Sequence, residues 1–399
     1  MGAACGQWKA KGRKRIASQA RVRVAVAGAG AFGRNHLRVY RELELAGAGV
    51  ELVACVEPDP GRSAAAEAQY GIPVFASVEE MLHADARADA ATVAVPTVQH
   101  HAVALELLHA GLDVLVEKPI AATLAEADSL VAQADRAGRV LQVGHLERFN
   151  PAVLAVEPRL KRPMFFEAHR LSVFTPRSLD VDVVLDLMIH DLDIVLTFAA
   201  SPVREVRAVG LPILSPKVDI ANVRVEFESG CVANFTASRV STERVRKLRF
   251  FEPRQYVSID YARRDVLVIR VDDAQMGGIG AMAGGVSGEA AAKLMPEILA
   301  AMAAGKVDSA LVNKLAMEGK FAGHGTLSPG LSFAKLEVTP GEPLRLEIES
   351  FLDCVRTRKE PRVTAQRGRE ALALALAIQD TMAAHAHRAG LGDFFEGSS

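Results

Sequence analysis

Short unbroken apolar runs alternate with segments of helical period through the first third of the chain. Residues 22–27, 50–56, 74–75, 91–95, 113–116 and 140–143 read as strands, and their lack of polar alternation suits strands covered on both faces. Between them, residues 34–46, 78–82, 102–110 and 124–137 carry apolar positions at helical spacing, with Gly111 stopping the third helix. This alternation predicts an α/β domain built on a doubly wound parallel sheet, which binds ligands at the carboxyl ends of its strands.

From Gly144 the texture changes. Residues 165–171, 203–209, 223–227, 232–240, 248–251, 256–261 and 266–271 are strand-like, with Glu228-Ser229-Gly230 as a hairpin turn. Strands that follow one another without helices predict an α+β second domain with a large, mostly antiparallel open sheet. One apolar helix, 182–199, interrupts them. On it Asp186, His190 and Asp193 are spaced i, i+4, i+7 and are expected on one face, where burial without partners or a ligand is costly. Residues 275–332 form an Ala-, Gly- and Met-rich insertion with helical patterns at 289–303 and 309–318. The sheet pattern resumes at 333–338, and helices at 344–356 and 369–384 close the fold.

Length and composition add a frame. The 399 residues exceed one ordinary core, and 50% hydrophobic with 24% charged residues is a globular balance. The expected division is a basic, disordered tail at 1–20, a dinucleotide-binding domain at 21–143, a substrate and oligomerisation domain at 144–390 and a short tail at 391–399. A net charge of -1 gives no electrostatic reason for a nucleic-acid partner, and no apolar run is long enough to cross a bilayer. Cys5, Cys55, Cys231 and Cys354 have neither metal spacing nor a disulfide framework, so no metal and a reducing, cytoplasmic setting are expected. The tail carries Lys9, Lys11, Arg13, Lys14 and Arg15 without the apolar stretch of a secretory signal.

The candidate chemistry lies at the strand ends. After the first strand comes Gly28-Ala29-Gly30-Ala31-Phe32-Gly33 and then a helix, the context a dinucleotide fingerprint requires: glycines for the turn, the pyrophosphate approach and the helix packing. Glu57 ends the second strand where an acid binds the adenosine ribose, which favours NAD, while nearby Arg62 keeps NADP open as the minority reading. Pro96, Thr97 and His100 follow the fourth strand. Glu117-Lys118-Pro119 ends the fifth, so all of these face the cofactor edge. Hydride leaving a secondary alcohol requires the hydroxyl proton to leave as well. Lys118 or His190 could accept it. His190 titrates nearer neutrality and Asp186, one turn away, could orient its ring, so His190 is the expected base and Lys118 the group that holds the oxygen; the roles could be exchanged.

These motifs, with Val95-Pro96-Thr97 and Asp186-Leu187-Met188-Ile189-His190, resemble the Gfo/Idh/MocA family of oxidoreductases over residues 22–273 and 333–387. The resemblance implies that Lys118, Asp186 and His190 are catalytic, and that the protein forms homodimers or homotetramers through its open sheet. Gly144-His145-Leu146-Glu147-Arg148-Phe149-Asn150-Pro151, His169-Arg170-Leu171-Ser172, Thr175-Pro176-Arg177 and the stretch ending at Arg239 are similar to the branch that oxidises nucleotide sugars, nearest the UDP-N-acetylglucosamine 3-dehydrogenases. That similarity implies a 3-keto product passed to an aminotransferase in lipid A synthesis. Glu147, Arg148, Asn150, Arg170, Arg177 and Arg239 become the substrate-binding candidates, the arginines as cations for a diphosphate. Each arginine could equally serve a structural ion pair. Residues 275–332 have no counterpart in the family pattern. Another sugar or polyol as substrate, or a dinucleotide sensor without catalysis, are the alternative readings.

Overall fold

The computed structural model describes residues 21–84, 86–174, 181–271, 324–328 and 331–391. The insertion helices expected at 289–303 and 309–318, the tails at 1–20 and 392–399, and Arg177 lie outside the described residues.

The first sheet is parallel throughout, in the order β3-β2-β1-β4-β5-β6: Val74–Phe75, Val50–Val56, Val22–Ala27, Ala90–Val93, Asp113–Glu117 and Leu141–Gly144. Helices α1 (Gly33–Leu45), α2 (Pro60–Tyr70), α3 (Val78–His83), α4 (Thr97–His109) and α5 (Leu124–Ala137) connect the strands. Local chemistry sets their ends. Asp59 caps α2 ahead of Pro60, and Thr123 and Glu126 form a reciprocal capping box on α5, which Gly138 closes in the left-handed region. The order reverses beside β1, so a crevice opens at the carboxyl ends of β1 and β4.

Helix α6 (Pro151–Val156) leads into a second sheet of nine strands, β14-β15-β13-β12-β11-β7-β10-β9-β8. These are β7 (Phe165–Leu171), β8 (Val203–Leu211), β9 (Ile220–Phe227), β10 (Val232–Ser238), β11 (Val245–Glu252), β12 (Gln255–Asp260), β13 (Asp265–Val271), β14 (His324–Ser328) and β15 (Leu331–Lys335). Only β7 and β10 pair in parallel. One face buries Phe166, Phe235, Leu248 and Phe250 against α7 (Ile189–Ala199) and α9 (Ala365–Arg388), while Glu167, His169, Lys247 and Arg249 on the other face stay half-exposed. Each such buried side chain contributes about 1.5–3 kcal/mol. No helix among the described residues is long and apolar enough to cross a membrane.

Three expectations change. β14 lies within the stretch read as helical insertion. The helix expected at 182–199 begins as a wide π turn, Val184–Met188, and becomes α-helical only at Ile189, so its angular step is not uniform. Asp186 and His190 line the cavity between the two halves, whereas Asp193 does not; it is 2% exposed and lies 3.6 Å from Arg148. The third change concerns α8 (Pro343–Thr357), which the sequence groups with the second domain. Its Leu344, Ile348, Phe351 and Leu352 pack with Val22, Val24, Leu37 and Tyr40 into the core of the first. Helix α9 then spans both halves, Leu372 on the first core and Leu374, Ile378 and Met382 on the second.

α8 also buries Glu347, whose two carboxylate oxygens have no partner among the described residues. Burial holds this carboxyl well above the usual range, and the Glu117 and Asp193 carboxylates add to the effect. The folded chain then keeps a proton that the unfolded chain releases above a pH of about 4.3, so stability falls as pH rises from there through the folded-state value. Glu347→Gln is expected to melt a few degrees above the parent at pH 8, with the gap closing near pH 4.5. A gap independent of pH in thermal unfolding would contradict this.

Candidate active site

The turn from β1 to α1 is shaped by contact. Gly28 has φ +99°, and a Cβ there would lie 2.5 Å from the Ala94 carbonyl oxygen. At Gly33 a Cβ would sit 1.9 Å from the Gly28 oxygen. Gly30 has nothing within 4 Å of its Cβ position, so the backbone between them borders open space at the N-terminus of α1, which no side chain caps. Glu57, 4% exposed, accepts from the Ala29 N–H at 2.9 Å, the Asp59 N–H at 3.0 Å and Arg62 at 2.8 Å. Burial opposes its charge, but Arg62 and the two amides prevail and its pKa is lowered. An open glycine turn at a helix N-terminus, with an ionised acid beside it, fits a dinucleotide's pyrophosphate and ribose. Gly28, Gly30, Ala31, Phe32, Gly33 and Glu57 would hold it.

Strand β5 ends at Glu117, which His36 meets at 2.7 Å. Gly144 of β6 leaves room for this carboxylate, since a Cβ there would come within 3.0 Å of it. The next residue, Lys118, precedes a cis proline. Its ammonium crosses to the second half of the molecule and donates to the main-chain oxygens of Asp186 at 2.8 Å and Leu185 at 3.4 Å. Both oxygens belong to the π turn, whose wider ladder displaces carbonyls from the regular helical pattern. His100 is fastened in this region, its ring nitrogens 2.7 Å from the Pro119 oxygen and 2.9 Å from the Val95 oxygen, and it also borders the cavity between the two halves.

A cavity of about 640 Å³ joins the two halves. The first half contributes Phe32, Pro96, Thr97, Glu117 and Lys118, and the second Glu147, Arg170, Asp186, His190 and Arg246. Lys118 and His190 thus line one cavity, each from its own half of the chain. Burial pushes the His190 pKa well below its usual value, and the positive Lys118, Arg170 and Arg246 push it the same way, so the imidazole is neutral at pH 7. Burial also lowers the Lys118 pKa, against the pull of Asp186 and Glu117. Asp186 does not orient the His190 ring by a hydrogen bond: the imidazole Nδ1 is buried without a partner among the described residues.

The substrate candidates divide. Glu147 and Arg170 line the cavity, but Arg170 is 3% exposed and held by Asp191 at 2.7 and 3.1 Å and by Glu147 at 3.1 Å. Arg148 is buried on Asp193 and Thr197, and Arg239 on the Val181 oxygen and Asp219; neither lines the cavity. Asn150 is also internal, capping α6 and donating to Glu147 and to the Tyr261 oxygen. These three are structural because a buried ion or amide must be satisfied locally. Sequence reasoning missed His36, whose spacing from Glu117 carries no signal. It also missed Arg246, which the alternation with Leu248 and Phe250 could have placed on the inner face had the strand been extended to Val245.

A model described as an oxidoreductase family with an NAD-binding Rossmann fold matches residues 22–145, and a GFO/IDH/MocA C-terminal domain matches 153–254. The UDP-N-acetylglucosamine 3-dehydrogenase of Acidithiobacillus ferrooxidans is 36% identical over 241 residues, covering 60% of this chain and 74% of the relative. An inositol 2-dehydrogenase of Leifsonia xyli is 33% identical over 193 residues, 46% of this chain and 56% of that one. Among solved structures, the dehydrogenase GnnA of Acidithiobacillus ferrooxidans aligns with a TM-score of 0.73 at 29% identity, over 91% of this chain and 98% of its own.

Proposed function

The chain belongs to the Gfo/Idh/MocA oxidoreductase family, and from that premise we propose that it oxidises the C3 hydroxyl of UDP-N-acetylglucosamine with NAD. It is an oxidoreductase acting on a CH–OH group, built on an NAD-binding Rossmann fold. The observation that supports the finer reading is the cavity lined by Lys118 from one half and His190 from the other, together with the 36% identity to a relative named for this sugar.

In the proposed chemistry the sugar hydroxyl lies between the two groups. Lys118, anchored on the Asp186 oxygen, donates to the hydroxyl oxygen and holds it. His190, neutral at pH 7, takes the hydroxyl proton as the C–H bond breaks. A nicotinamide dinucleotide held by the Gly28–Gly33 turn and Glu57 would supply the hydride acceptor. Glu57 favours NAD over NADP, because a 2′-phosphate would bring a second negative charge to a buried carboxylate. The half-exposed face of the second sheet is the surface proposed for a homodimer or homotetramer, and a 3-keto sugar is a substrate for an aminotransferase, as in lipid A synthesis with diamino sugars. A cytoplasmic site belongs to the same proposal.

The test is to incubate the purified protein with NAD and a panel of UDP-sugars while following absorbance of the reduced cofactor. Turnover is expected with UDP-N-acetylglucosamine. Turnover of a free polyol with no UDP-sugar active would move the assignment to an inositol-type dehydrogenase. Cofactor binding without turnover of any alcohol would mark a sensor.

A further inference from the structure

Arg246 lies on β11, where alternation puts it on the same face as Leu248 and Phe250. Those two are buried in the core, whereas Arg246 is exposed and lines the cavity shared with Lys118 and His190. The register sets it directly opposite Arg170 on β7. Like charges opposite one another across antiparallel strands are destabilising unless something neutralises them. Arg170 is neutralised, by Asp191 and Glu147, and it lies 5.3 Å from the Tyr261 ring. The Arg246 guanidinium has no hydrogen-bond or ion-pair partner among the described residues, while its main chain is held in the sheet.

Its position is distinctive among the arginines around the site. Arg148 and Arg239 are buried on internal partners, and Arg170 is committed to two carboxylates. A solvated strand-end arginine is the plain alternative. It fails to explain why an unbalanced cation sits on the inner face, opposite Arg170 and bordering the cavity that Lys118 also lines, where each added positive charge raises the electrostatic cost. An anionic ligand entering the cavity removes that cost.

We propose that Arg246 is the anion-recognising residue of the substrate site, its guanidinium binding the diphosphate of a nucleotide sugar and selecting phosphorylated sugars over neutral ones. The inference rests on the nucleotide-sugar reading and deepens it. A guanidinium presents paired N–H groups that match phosphate oxygens, and a charge-assisted contact of this kind is strong enough to decide between an anionic and a neutral substrate.

The experiment compares wild type, Arg246→Gln and Arg246→Lys in two measurements: steady-state kinetics with UDP-N-acetylglucosamine and NAD, and calorimetric binding of UDP alone. Arg246→Gln is expected to raise KM for the sugar nucleotide and the Kd for UDP by on the order of ten- to a hundredfold, with Arg246→Lys between it and wild type. kcat is expected to fall far less than KM rises, and KM for NAD to stay unchanged, which also reports an intact fold. Wild-type turnover with equal UDP binding by Arg246→Gln would overturn the role of Arg246 and leave the nucleotide-sugar reading standing. No UDP binding by wild type, with no UDP-sugar turned over, would overturn both.

Discussion

Replacing Lys118 or His190 by Ala is expected to cut kcat by on the order of a hundredfold or more while NAD still binds, because each change removes one of the two polar groups that share the alcohol oxygen and its proton. Neither residue shapes the Gly28–Gly33 turn or touches Glu57, so cofactor titration by fluorescence should match wild type. The pH profile separates their roles. Burial and the neighbouring cations depress the His190 pKa well below 6.5, so a His190 base is already unprotonated at pH 7, and kcat/KM should fall only as pH drops through that depressed value. Lys118 has its pKa lowered from 10.5, so a lysine base would instead give a rate that climbs through the alkaline range. Loss of the acid limb in His190→Ala, with residual activity, identifies the imidazole as the proton acceptor. Near-normal kcat in both alanine variants would remove the proposed catalytic centre.

The second large effect is on stability. Arg170 and Asp191 are 3% and 2% exposed, and Glu147 completes the buried group. Asp191→Ala leaves the Arg170 guanidinium with half its compensation in a site that water does not reach. Removing one partner of such a pair costs about 3–5 kcal/mol, expected as a lowering of Tm by roughly 10 °C. Arg170→Ala is expected to be worse, because it strands two carboxylates rather than one cation. Thermal unfolding by circular dichroism checks the order, and an Asp191→Ala Tm within a degree or two of wild type would show that the group is not acting as a closed electrostatic unit. The same substitution should disturb catalysis, since α7 carries both Asp191 and His190.

Both predictions concern the seam between the halves, and this is where the sequence was least legible. The Gly28–Gly33 fingerprint, Glu57 and Lys118 could be placed at one sheet edge because each directly follows an apolar run that reads unambiguously as a strand. His190 could be placed on an apolar helix for the same reason. The pairing of Arg148 with Asp193, Arg170 with Asp191 and Glu147, and Arg239 with Asp219 could not, because nothing about an isolated arginine says whether its counter-ion is internal or arrives with a ligand. Three residues named for substrate binding, Arg148, Asn150 and Arg239, thus turn out to hold the fold, and Arg246 emerges as a cavity-lining arginine whose guanidinium has no partner among the described residues.

The amino-acid sequence by itself determined the α/β and α+β halves and the alternation of strands with helices in the first, and it pointed to the carboxyl edge of that sheet, because period and turn residues act over a few positions and declare themselves locally. Only the tertiary structure decided that α8 completes the first core, that the π turn offers its carbonyls to Lys118, and which cations are spent on internal partners. Those outcomes depend on charges and apolar faces brought together from distant parts of the chain, where burial makes an unmatched charge costly and so selects the partner.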